Sequence, residues 1–178
     1  IMTFSNCQDA PAPASQTPPA VEKPALPPHL VFPEWAKNAV LYELNTRQFS
    51  PDGNFAGVTA QLPRLKELGV DIIWLMPIHP VGKERRKGSL GSPYSVQDYY
   101  AVNPDLGTLD DLKSLINAAH QSGMKVILDW VPNHTSWDAV WKQQHPEYYS
   151  RYKGDFTVPF NEHGEPIADW QDVCDLDY

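Results

Sequence analysis

Lys125-Val-Ile-Leu-Asp-Trp-Val-Pro-Asn-His134 is the stretch that decides how this chain is read. Val126, Ile127 and Leu128 form a short apolar, β-branched run, as expected of a strand buried on both faces of a parallel sheet. Asp129 interrupts the run, and Asn133 and His134 follow directly. Burying a carboxylate among such neighbours is costly unless a cation, hydrogen-bond donors or a ligand compensates. A lone Asp or His is more simply read as a loop cap or a satisfied core residue. Three polar groups together at one strand end favour a site, because parallel α/β folds collect their functional groups at the carboxyl ends of strands.

Upstream, the same pattern recurs. Thr108-Leu-Asp-Asp111 reads as a capping box with Asp in the place of the usual Glu or Gln. It opens a helix with Leu109, Leu112, Leu115, Ile116 and Ala119 on one face, closed by Gly123. Val70-Asp-Ile-Ile-Trp-Leu-Met76, ended by Pro77, reads as a second buried strand. Before it, Val58, Leu62, Leu65 and Leu68 fall at helical spacing, with Thr59 as N-cap, Pro63 in the first turn and Gly69 as the stop. Ala39 to Asn45 is the first strand. Strand, helix, strand, long loop, helix, strand predicts an α/β fold with a parallel sheet. After Pro132 the rhythm is lost, and Trp137, Trp141, Tyr148, Tyr149, Tyr152, Phe156, Phe160 and Trp170 are scattered through a long irregular insertion.

The 178 residues, 42% hydrophobic and 20% charged, are ordinary globular material of about one domain, which excludes collagen, coiled coil and wholesale disorder. No apolar run approaches the roughly 18 residues of a membrane helix. A net charge of −8 leaves no basic footprint for nucleic acid, so a neutral or weakly charged partner is expected. Eight prolines between Pro11 and Pro33 make an extended tether of residues 1–33. Residues 34–135 then carry the strands and helices, and residues 136–178 the start of the insertion. Cys7, just ahead of the tether, resembles the acylation point of a bacterial lipoprotein; a free thiol in a tail is an equal reading, and a Cys7–Cys174 disulfide ranks below both. The lipoprotein reading gives a lipid anchor at Cys7 and an exported protein, periplasmic or held at the outer membrane.

Four blocks carry a family resemblance. Asp129-Trp-Val-Pro-Asn-His134 resembles the Asp-x-Val-x-Asn-His motif of the α-amylase family, glycoside hydrolase family 13. Gly69 to Ile78 is similar to that family's second barrel strand. Ser92 to Pro104 with Gly107 to Leu112 is similar to the loop and helix that follow it, and Val173-Cys-Asp-Leu-Asp177 to a motif late in the inserted domain B. The resemblance spans Val40 to Tyr178. It implies a partial TIM (β/α)8 barrel, the first three strands with a long irregular insertion after strand 3, in an enzyme acting on α-linked glucans such as starch, glycogen or maltodextrin.

Residue by residue, the resemblance gives Asp129 a place in the active-site charge network, His134 a hydrogen bond to a sugar's primary hydroxyl, and Tyr94 a stacking face for that sugar. Asp98 is expected to brace the Tyr94 loop. Calcium is the implied ion, with Asn133 and Asp175 at ligand positions. Exo-acting relatives often carry an Asp where this chain has Gly91, which favours an endo-acting or chain-binding site. Lys83-Glu-Arg-Arg-Lys87 reads as a solvated loop, with lining a groove as the lesser alternative, His79 as a packed loop residue, and the late aromatics as a small core ahead of sugar platforms. Retaining hydrolysis needs two carboxyl groups about 5–5.5 Å apart. The resemblance places both on later strands, and no Gly-x-Arg-x-Asp segment occurs here, so no catalytic residue is expected in this chain and the chain alone is expected to be inactive. The alternatives are a non-catalytic glucan-binding or scaffold relative and an α-glucan transglycosylase.

Overall fold

Three short apolar segments, β1 (Leu41–Leu44), β2 (Ile72–Leu75) and β3 (Lys125–Leu128), pair in parallel in the order β1-β2-β3. The computed structural model describes residues 33–177. Leu44 lies opposite Leu75, and Leu75 opposite Leu128, so the three strands end level. The ladder runs one residue further, from Met76 N–H to Leu44 O at 3.0 Å and from Asp129 N–H to Leu75 O at 2.9 Å. All three following loops therefore leave from one edge.

The first crossover differs from expectation. It is three short helices, α1 (Thr46–Phe49), α2 (Phe55–Ala60) and α3 (Leu62–Glu67), broken at Gln61. Pro63 has no N–H to give an unbroken helix, so a new one starts around it. The cap is Asn54, whose side chain accepts from Gly57 N–H at 2.9 Å, and Thr59 sits inside α2 with its hydroxyl donating to Phe55 O. Gly69, at φ +90°, ends α3 as expected.

The second crossover carries α4 (Leu109–Gln121), and its capping box is present in both directions: Asp111 N–H donates to Thr108 Oγ1 at 3.1 Å, and Thr108 N–H to Asp111 Oδ2 at 2.8 Å. Leu112, Leu115 and Ala119 are buried against Ile73, Leu75 and Met124, whereas Leu109, expected on that face, is 53% exposed in the first turn. Strand β3 is not buried on both faces: Ile127 and Leu128 are 42% and 44% exposed. It is an edge of the sheet among the described residues, with α4 covering one face only.

The insertion has its own small core. Here β4 (His134–Thr135) pairs antiparallel with a strand at Cys174–Asp175, across α5 (Val140–Gln144) and a hairpin of β5 (Arg151–Tyr152) and β6 (Asp155–Phe156); Cys174–Asp175 is β7. Trp137, Tyr149, Val158, Cys174 and Leu176 pack together with Trp141 and Phe156 at their margin, as the core reading of the aromatics expected. Cys174 is free among the described residues and fully buried, and that burial pushes its thiol pKa up to about 11. The Pro-rich tether and Cys7, with the calls made on them, lie outside the described residues. No helix among those residues is long and apolar enough to cross a membrane.

Replacing Thr108 by Ala removes a reciprocal cap from α4, the helix that covers the sheet. The expected cost is about 1 kcal/mol, read as a lower urea midpoint in the full-length protein.

Candidate functional site

The site is assembled from the loops that leave the level strand ends. Asp129 follows β3, and its Oδ2 accepts a 2.9 Å hydrogen bond from the Tyr94 hydroxyl. Tyr94 comes from the long segment after β2, which folds back on itself through Gly82 N–H to Ser95 O (2.9 Å) and Gln97 N–H to Pro80 O (2.8 Å). Arg86 ties down the same segment, donating from Nε to Gly82 O and from Nη2 to Val81 O. Arg47 of α1 adds the loop after β1, reaching Leu90 O and Gly91 O at 3.3 Å.

His134 enters from β4. The Asn133 amide nitrogen lies 2.9 Å from its Nδ1; an amide N–H only donates, so Nδ1 accepts and the ring proton sits on Nε2. Burial pushes the His134 pKa below its ordinary value, against the opposing pull of Asp172's charge and of a hydrogen bond with the Tyr94 backbone. A neutral imidazole with one N–H suits directional donation to a hydroxyl. The Tyr99 hydroxyl, 2.5 Å from Val131 O and 3.2 Å from His134 O, fixes the connection from β3 into β4.

Lys87, Ser92, Tyr94, His134, Trp170, Asp172 and Val173 line one cavity of about 440 Å³. Tyr94, Asp129 and His134, the three expected substrate residues, thus come together, Asp129 through its bond to Tyr94. Other expectations are corrected. Lys87 is not simply solvated: its ammonium is 2.9 Å from Asp172 Oδ1, donates to Asp169 O, and lines the cavity. Arg85 of the same run lies 3.6 Å over the Trp137 ring. Charges here find partners because the insertion folds over the loop, a contact across more than eighty residues that sequence pattern does not show. Asp98 does not brace Tyr94; it accepts from Tyr100 N–H in its own turn. The brace is Asp138, whose Oδ2 accepts from Lys83 N–H and Gln97 Nε2. Burial raises the Asp138 pKa, but hydrogen bonds, foremost that from Lys83 N–H, outweigh it and hold the group below its ordinary value. His79 is a packed loop residue as expected, 2.9 Å from Ala101 O.

Two glycines are demanded by close approach. A Cβ on Gly82 would lie 2.1 Å from Ser136 Cβ, so only glycine lets this loop meet the insertion. Gly91, at φ +69°, would bring a Cβ within 2.8 Å of Val81 and 2.9 Å of Arg86. A clamping Asp has no room there.

For calcium, the residues fit in kind and not in number. Asn133 and Asp175 offer hard oxygens, but calcium takes about six to eight. Among the described residues no group of three or more His, Cys, Asp or Glu is placed to hold a metal. These residues do not make the site by themselves.

Loops at the carboxyl ends of a parallel sheet close on a pocket with an aromatic face, an imidazole and a carboxylate, the place where α/β folds collect their binding groups. The family model described as the α-amylase catalytic domain matches residues 25–174, and the chain belongs to the α-amylase family. It is similar to the solved α-amylase of Lactobacillus plantarum, at 51% identity and a TM-score of 0.73 over 79% of this chain and 32% of that one. A maltogenic α-amylase from Thermotoga neapolitana matches at 39% identity and a TM-score of 0.70, over 80% and 33%. The α-1,4-glucan:maltose-1-phosphate maltosyltransferase of Rhodospirillum rubrum is 34% identical over 84% of this chain, which spans 23% of its length. The fold is accordingly part of a TIM (β/α)8 barrel, three parallel strands with the insertion after the third.

Burial first, then the bond to Asp129 and that carboxylate's charge, raise the Tyr94 hydroxyl from 10.0 to about 12. The neutral phenol is the form the fold favours, so its contribution to stability is whole below pH 10 and is lost as pH rises through about 12. A 295 nm titration of the full-length protein against Tyr94→Phe should show one tyrosine ionising near pH 12 that the variant lacks.

Proposed function

We propose that this chain is the front portion of an enzyme that cleaves α-linked glucose chains with retention of configuration at the anomeric carbon. The observation that carries the reading is the Tyr94–Asp129 bond, which holds an aromatic face beside the neutral His134 in a pocket of about 440 Å³. In that reading the Tyr94 ring stacks on a pyranose, His134 Nε2–H donates to a primary hydroxyl of the same sugar, and Asp129 keeps both the tyrosine and the local charge in place. The carboxylate pair that breaks the bond is contributed by later strands of the full-length protein. The α-amylase likeness of the solved relatives supports a hydrolase, and starch-type glucans are the substrates it implies.

A transferase uses the same pocket, and the maltosyltransferase relative gives that reading its support. A binding-only scaffold would use the same three groups, and turnover separates it from an enzyme. The proposal extends to calcium through Asn133 and Asp175 as two of its oxygen donors. What supports it is that the β4–β7 pairing brings the two residues' backbones together, with His134 opposite Asp175 and Leu176 N–H donating to Asn133 O at 3.1 Å.

Full-length protein incubated with maltoheptaose should release shorter products whose first-formed reducing ends are α-anomers by proton NMR. First-formed β-anomers, or no turnover, would overturn the reading, and products longer than the substrate would favour the transferase. His134→Ala loses a hydrogen bond worth about 1–1.5 kcal/mol and should lower kcat/KM roughly tenfold. The 178-residue chain alone should be inert in the same assay. For calcium, chelation should lower the Tm of the full-length protein and leave that of Asp175→Asn unchanged.

A further inference from the structure

The cavity has a wall that the proposed sugar contacts do not use. Trp170, 41% exposed, lines it opposite the β2 loop, and its ring stands nearly perpendicular to the His134 imidazole, at 76° with centroids 5.6 Å apart. Most other aromatics of the insertion are spent on its own core; Trp170 is outside that cluster. An exposed indole is costly to leave in water and offers the apolar face that pyranose rings stack on.

Its position is held from both sides. The Lys87 ammonium pairs with buried Asp172 at 2.9 Å and donates to Asp169 O, so one side chain of the β2 loop grips the residues that flank Trp170. Asp172 is held further by its own carbonyl, which accepts from Ser95 Oγ at 2.8 Å, and Ser95 is the residue after Tyr94. The Gln171 carbonyl accepts from the Trp137 indole N–H at 2.9 Å, which anchors the segment to the core of the insertion. Trp170 and Tyr94 line the same cavity, whose volume falls in the range of about 300–1,000 Å³ usual for ligand pockets, and residues near each are tied together through Ser95 and Asp172.

Resting on the α-glucan reading above, we propose that Trp170 is a second sugar-stacking platform that engages the neighbouring glucose unit of a chain, and that Lys87 is the positioning residue that sets it. Recognition would then require at least two linked rings, one on Tyr94 and one on Trp170. Substrate binding would also join the barrel loop to the insertion.

The test uses the full-length protein and a maltose-to-maltoheptaose series. Trp170→Ala should raise KM for the longer oligosaccharides about tenfold, ~1.4 kcal/mol, with kcat changed less than about twofold. Trp170→Phe should restore most of the affinity. In the wild type, maltooligosaccharides should quench tryptophan fluorescence by an amount that Trp170→Phe removes. Lys87→Met should raise KM in the same length-dependent way while far-ultraviolet circular dichroism stays unchanged. If Trp170→Ala binds every length as the wild type does, or loses kcat with KM intact, the platform is overturned. If the wild type neither binds nor cleaves any maltooligosaccharide, the α-glucan reading fails and takes this inference with it.

Discussion

The arrangement of the site turns on the donor that the half-buried Asp129 carboxylate finds at the end of β3. Its own strand supplies only a backbone N–H, which is already bonded to Leu75 O. The Tyr94 hydroxyl meets the need at 2.9 Å, and for it to do so the segment after β2 must cross the strand ends and fold back toward β3. That requirement explains the cross-links along the segment: Arg86 on two carbonyls, Asp138 receiving Lys83 and Gln97, and Arg47 arriving from the loop after β1. Each link restricts where Tyr94 can stand.

The insertion is the second half of the same construction. It buries Trp137, Tyr149, Cys174 and Leu176 as a cluster of its own, and it meets the β2 loop through a few close contacts. Gly82 permits one of them, by leaving no Cβ where Ser136 sits. The Lys87–Asp172 pair makes another, at 2.9 Å with Asp172 largely buried. The cavity lies along this seam, so its two walls come from elements with separate cores.

The order of elements was legible from the chain. The Thr108–Asp111 box opens its helix, Gly69 and Gly123 close theirs, and the three apolar runs pair in parallel. The misses have physical causes. Thr59 has the chemistry of a cap, but Asn54 comes first and Pro63 splits the helix. The apolar run of β3 predicts two buried faces, while its surroundings cover one. Asp98 is close to Tyr94 in sequence, yet it is satisfied within its own turn.

By itself the sequence determined the three parallel strands, the Thr108 cap and the polar cluster of Asp129, Asn133 and His134, because local periodicity and short polar motifs are written within a few residues; the family resemblance alone singles out Tyr94. The tertiary structure alone decided what those groups touch. Tyr94 and Asp129 are 35 residues apart, and Lys87 and Asp172 are farther still. Whether a lysine is solvated or paired, or a tryptophan is core or wall, depends on which surfaces the fold brings together. No local pattern encodes that, because the energy of such a contact belongs to two distant segments at once.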